Sequence, residues 1–276
     1  MPRRWLVFPL LLSLINPALA QSPQDLPIFD THIHYSQPDW AVYSPEEILK
    51  ILDRGGVWRA LVSSTPDDGT LKLYEKAPAR IVPELRPYRN PTDMESWYRD
   101  PAVLAYVEER LKRGIYKGIG EFHLFGGQTS TPVIRRITEL AAEKNLVLHA
   151  HSDEAAVEEL FALNPKVKIL WAHAGMTSGP EAIAKLLDRY PTLWAELAIR
   201  TDMAPGGKLD PAWRALFLRH PDRIMVGTDT WVTSRWQALP GYLAETRGWL
   251  RQLPPEVAEK IAFRNAEGLF GGDARR

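Results

Sequence analysis

The sequence predicts a single-domain α/β protein, a (β/α)8 barrel of the TIM type, and three observations carry that expectation. From Pro27 onward, eight short apolar runs alternate with amphipathic helical stretches, the count of a closed parallel barrel of about 250 residues. The turn after the first run reads Asp30-Thr31-His32-Ile33-His34, where a doubly wound open sheet would place a glycine-rich fingerprint. Six of the seven histidines fall at the C-terminal end of a strand-like run, the face on which such barrels build their sites.

Residues 1–20 stand outside this scheme. Arg3 and Arg4 lead an apolar run from Trp5 to Ile15, Asn16-Pro17 breaks it, and Ala18-Leu19-Ala20 forms a small-x-small cleavage site. The run is shorter than the roughly 20 residues of a bilayer span. The expectation is a signal peptide cut between Ala20 and Gln21, a periplasmic or secreted mature chain over residues 21–276, and no membrane association after cleavage.

Strand 1 is expected at Ile28–His34. Ser44-Pro45-Glu46-Glu47 then opens a helix with an N-cap, a proline at the first position and acids in the first turn, and Gly55-Gly56 closes it. Strand 2, Val57–Ser63, leads to the least patterned helix, within Pro66–Pro78. Strand 3 is Arg80–Tyr88, and the helix after it closes at Gly114 ahead of strand 4, Tyr116–Phe125. Thr131-Pro132 opens the next helix and Asn145 ends it before strand 5, Leu146–His151. In the second half Asn164-Pro165, Tyr190-Pro191 and His220-Pro221 each end a leucine-rich helix. They precede strand 6 (Val167–His173), strand 7 (Thr192–Arg200) and strand 8 (Arg223–Thr230), with Asp210-Pro211 capping the last of these helices.

Lys+Arg and Asp+Glu both number 34. Without Arg3 and Arg4 the mature chain has 32 bases against 34 acids, a net charge of −2. That balance gives no basic footprint for nucleic acid, and the expected partner is a small-molecule substrate. The absence of cysteine rules out disulfides and thiol nucleophiles, and leaves nitrogen and oxygen ligands for any metal.

Alternate residues of a strand point to one side, so His32 and His34 project together into the mouth of a barrel. Both imidazoles can then bind one ion at about 2.0–2.1 Å. Glu121 and His123 form a second such pair, His149 and His151 a third, and His173 ends strand 6. Asp229 ends strand 8, which neighbours strand 1 in a closed barrel. A carboxylate there can both ligate a metal and take a proton from metal-activated water. His123 and His149 are candidates for positioning or substrate contact. Arg86 and Arg89 after strand 3, Arg200 at the end of strand 7 and Trp231 just past Asp229 are candidates for substrate contact at the rim, where arginines could hold a carboxylate or phosphate. His220 lies apart, as a charge at a helix C-terminus.

Asp30-Thr31-His32-Ile33-His34, Gly118-Ile119-Gly120-Glu121, His151-Ser152-Asp153, Trp171-Ala172-His173-Ala174-Gly175 and Gly227-Thr228-Asp229 occur in that order. Together they resemble the ordered signatures of the amidohydrolase superfamily. The amidohydrolase-2 branch is the most similar, with some similarity to TatD-type hydrolases. Arg264–Phe270 resembles the closing helix of those proteins, and the resemblance spans residues 27–271. It implies a distorted barrel with one or two divalent ions per chain, zinc first and manganese as the alternative for ligands without thiols. It implies that His32 and His34 are ligands, that Glu121 bridges, and that Asp229 is ligand and base. His173 matches a histidine that binds a second metal or acts on substrate. His151, immediately before a helix start, is taken over His149 as the strand-5 ligand. Glu121 stands where many members carry a carboxylated lysine.

The function expected is hydrolysis of an ester, lactone, amide or phosphoester, with Asp229 and His173 as catalytic residues. Non-oxidative decarboxylation of an acid is the alternative, and a non-catalytic metal-binding barrel is a third reading that the complete ligand set argues against.

Overall fold

Eight strands pair in chain order, each parallel to the next, in a computed structural model that describes residues 26–271. The leader expected over residues 1–20 lies outside the described residues. The strands are β1 (Ile28–Ile33), β2 (Val57–Val62), β3 (Ile81–Leu85), β4 (Gly118–His123), β5 (Val147–His151), β6 (Lys168–Trp171), β7 (Leu193–Glu196) and β8 (Ile224–Met225). The helices that follow them are α1 (Pro45–Arg54), α2 (Asp68–Lys76), α3 (Pro101–Leu111), α4 (Pro132–Glu143), α5 (Glu154–Leu163), α6 (Pro180–Arg189), α7 (Pro211–Arg219) and α8 (Ser234–Leu250). This is the expected single-domain (β/α)8 barrel. Two short helices, α9 (Pro255–Glu259) and α10 (Asn265–Phe270), end it, joined by a π-helical turn.

The punctuation in the sequence works as local chemistry dictates. Ser44 accepts from the Glu47 amide while the Glu47 side chain returns to the Ser44 amide, a reciprocal cap. Thr131, Asp153 and Asp210 cap α4, α5 and α7 through their side chains. Gly56, Gly114 and Asn145 turn the chain after α1, α3 and α4 with φ of 64°, 69° and 56°.

Strands 6, 7 and 8 end earlier than expected. β6 stops at Trp171 because His173 and Ala174 adopt left-handed φ of 55° and 46°. β8 keeps two ladder residues, and Asp229 beyond it has φ 56°. At these points the backbone turns out of the sheet and carries its side chains into the mouth.

The barrel interior is layered. At the base Phe29, Leu61, Val82, Val147, Leu170 and Met225 form an apolar floor, closed from below by Ala266 and Phe270 of α10. One level up the inward residues are charged: in-register pairing places Glu84 beside Gly118, Gly120 beside His149, and Glu196 beside Met225. Gly227 makes room for this level. A Cβ there would lie 2.2 Å from Glu196 Oε2 and 2.9 Å from His32 Cβ. The larger hydrophobic core lies outside the sheet, between strands and helices.

Candidate metal centre

Above the charged layer four ligand atoms converge from three strands. His32 Nε2, His34 Nε2, Glu121 Oε2 and Asp229 Oδ1 have five of their six mutual separations between 3.1 and 3.6 Å. A tetrahedral ion with bonds of about 2.0–2.1 Å holds its ligands about 3.4 Å apart. The four side chains therefore already stand at the spacing such an ion requires.

The tautomers agree. His34 Nδ1 lies 2.5 Å from the Ser63 carbonyl oxygen, which can only accept, so Nδ1 carries the proton and Nε2 offers a lone pair. His173 Nδ1 donates in the same way to Ala198 O at 3.1 Å. His32 Nδ1 donates to Glu196 Oε1 at 3.0 Å. The two Nε2 atoms face each other at 3.1 Å beside two carboxylate oxygens, and Asp229 Oδ1 is buried without a hydrogen-bond partner. Such a set needs positive charge inside it, a proton or a metal cation. The donor set fits a divalent ion.

Electrostatics point the same way. Burial works against a charged His32, yet the carboxylates of Asp229, Glu196 and Glu121 outweigh it and hold its pKa well above the usual range. Burial likewise opposes ionisation of Asp229, and His32 and His34 overcome it, pulling the carboxyl down to about 2. Glu121 is also held well below its ordinary value, against burial, by His32, His151 and His173. Three buried carboxylates call for positive charge at one spot.

Glu121 faces two ways. Its Oε2 belongs to the first cluster, while Oε1 lies 2.9 Å from His151 Nδ1 and 3.6 Å from His173 Nε2. The sequence-expected ligands thus form two groups sharing one carboxylate. His123 joins the second group closely enough to bind a metal with Glu121 and His151, and it stacks on His151 at 4.3 Å. The Tyr88 hydroxyl accepts from the His123 amide and donates to its Nδ1, while burial brings His123 down to about 4.

His149 lies below the cluster in the charged layer, fully buried, with Nδ1 3.0 Å from Glu84 Oε2. It is His151, not His149, that reaches Glu121. Arg86 donates to Glu121 Oε2 and to the Glu121 carbonyl, at 2.8 and 3.0 Å. Arg200 is buried too, donating to the carbonyls of His173, Ala174 and Ser178 and to Asp202. Both arginines, expected near the rim, thus position other site residues. Trp231 is 62 % exposed at the mouth. His220 caps the C-terminal end of α7, 3.3 Å from Asp188 and away from the mouth.

Sequence reasoning missed Glu196 and Glu84. Glu196 receives His32 Nδ1, the His173 amide and the Ala198 amide, at 3.0, 2.6 and 2.6 Å, and so ties the two ligand groups together from beneath. The available signal was a glutamate in an otherwise apolar run, at Leu193–Leu197 and again at Ile81–Leu85.

Residues 98–272 match the family model described as Amidohydrolase. No functionally curated protein matches the chain. Among solved structures, a probable 2-pyrone-4,6-dicarboxylic acid hydrolase from Acinetobacter baumannii superposes with a TM-score of 0.60 at 15% identity, covering 89% of this chain and 99% of that one. A TatD homologue from Escherichia coli K12 gives 0.61 at 15% identity over 90% and 99%. A 2,6-dihydroxybenzoate decarboxylase gives 0.55 at 14% identity over 89% and 99%. At these identities the likeness is one of fold.

Proposed function

Because the chain belongs to the amidohydrolase family, we propose that it is a metal-dependent hydrolase of an ester, lactone, amide or phosphoester, with Asp229 as general base. The observation that carries this reading is Asp229 Oδ1, buried and without a hydrogen-bond partner 3.3 Å from His34 Nε2. A divalent cation, zinc first and manganese second, supplies Lewis acidity at such a site and lowers the pKa of water to about 7. His32, His34 and Asp229 would hold it with Glu121, and His151 and His173, again with Glu121, would hold a second ion. The Asp229 carboxylate, through the oxygen that does not face the histidines, takes a proton from water as the water oxygen bonds to the substrate carbon or phosphorus. The same proton then passes to the leaving oxygen or nitrogen as the old bond breaks. Arg86 keeps Glu121 oriented throughout.

Turnover in oxygen-18 water tests the reaction class. Label in the product is expected. Carbon dioxide evolved with no label incorporated would assign the protein to decarboxylation instead.

Export is proposed alongside, with cleavage between Ala20 and Gln21. Intact-mass analysis of the extracytoplasmic fraction should give a chain beginning at Gln21, and a soluble protein there that still carries Met1 would overturn it.

A further inference from the structure

Among the described residues eight large hydrophobic side chains are exposed, and six sit on loops at the C-terminal ends of strands: Val42, Met94, Phe125, Met176, Trp231 and Val232. One of the eight, Leu218, lies on a helix. Three of the six are tied to the candidate ligands. The Phe125 ring meets His151 edge-on at 6.3 Å, the Met176 amide donates to the His173 carbonyl, and Trp231 lies two residues past Asp229. They follow β4, β6 and β8, so they stand about a quarter-turn apart around the mouth.

The arginines beside the candidate ligands are engaged elsewhere. Arg86 and Arg200 hold Glu121 and the His173 loop, as described above. Arg235 donates to the carbonyls of Thr228 and Asp229, and Arg89 to Asp93 and Asp100. Arg99 lies over the Tyr98 ring. Lys208 is exposed, flanked by Gly207 and Leu209, both bonded to Gln252 beyond the end of α8.

We propose that this rim receives an uncharged, apolar or aromatic substrate body, whose one polar reacting group points down to Asp229 and the histidines. The proposal deepens the hydrolase reading and rests on it. A carboxylate or phosphate beside Trp231 and Phe125 would lose water against their rings, while Arg86, Arg200 and Arg235, the arginines beside the candidate ligands, already donate to the protein. A dicarboxylate such as the one named for the Acinetobacter baumannii structure is therefore the wrong shape of charge for this mouth.

The test is calorimetric binding of two probes to zinc-loaded protein: benzohydroxamic acid and its 4-carboxy analogue. The neutral probe should bind at least about ten-fold more tightly, and Phe125→Ala and Trp231→Ala should each weaken it by about three- to ten-fold by removing apolar contact. Circular dichroism and zinc content of both variants should match the parent. Equal or tighter binding of the carboxylated probe would overturn the proposal, as would failure of the neutral probe to bind. So would a stable dimer by sedimentation that hides Trp231 from acrylamide quenching, which would make the rim a subunit interface. Ester, lactone and amide pairs with the same two bodies separate the two ideas. No hydrolysis of any pair, with the neutral hydroxamate still preferred, removes the hydrolase reading and leaves the apolar mouth standing.

Discussion

Asp229 holds a left-handed backbone, φ 56°, which aspartate tolerates better than most residues, and that turn aims its carboxylate back at His32 and His34. If it moves the proton in both halves of the reaction, Asp229→Asn should cut turnover by about 10²–10⁴-fold with the fold unchanged. Steady-state kinetics beside circular dichroism checks this, and near-normal turnover would remove the base assignment. Glu196 acts one step away. It is fully buried, orients His32 through Nδ1 and holds the backbone of His173. Glu196→Gln should keep the shape but weaken the pull on the His32 proton, lowering zinc affinity by about 10- to 100-fold. Competition with a metal-sensitive dye measures it, with unchanged affinity as the contrary result. At this scale the histidine pairs and Asp229 were legible because alternate strand residues share a side. Glu196 was not, since its partners lie 164 and 23 residues away and meet it only through barrel register.

Elements were legible where local chemistry marks their ends. All eight strands fall within the runs that the sequence marks, several of them shorter, and the caps of α1, α4 and α7 sit where the sequence puts them. The shortening of β6 and β8 was not readable, because an apolar run does not announce a left-handed turn at His173 or Asp229. One junction between elements has a cost of its own. Asp67, just before α2, is buried against Tyr116 and α3, with the Tyr116 hydroxyl 2.5 Å from one carboxylate oxygen and the other without a partner. Burial raises its pKa from 3.8 to about 6, against the lowering effect of Tyr116 and Arg110. The folded state therefore favours the protonated acid. Stability is full below pH 4 for this group and falls as pH rises toward 6, by roughly 3 kcal/mol in all. Asp67→Asn keeps an acceptor for Tyr116 and removes that dependence. Its melting temperature should exceed the parent's by several degrees at pH 8 and by almost nothing at pH 4. A constant difference across the range would contradict the account.

For the whole molecule, the barrel count was legible from eight alternations, but the manner of closure was not. Among the described residues seven strand ladders are present, and the eighth junction is made differently. Between the last strand and the first, the Thr31 amide donates to Val226 O and the Asp229 amide to His32 O, while Asp30 accepts from the amide and hydroxyl of Thr228. The candidate ligands straddle that junction, with His32 and His34 on one side and Asp229 on the other. Chelation of bound metal should therefore speed hydrogen exchange at the Thr31 and Asp229 amides by about ten-fold or more, while Ile169, deep in the β6–β7 ladder region, changes little. Uniform acceleration across all strands would contradict this. It follows that an ion here is also a clasp. The cylinder is stitched along seven seams by regular ladders, and along the last by the Thr31 and Asp229 amides, the Asp30–Thr228 bonds and an ion that spans them. Without the ion that seam would keep only its own few bonds, and would be the first place for the barrel to part.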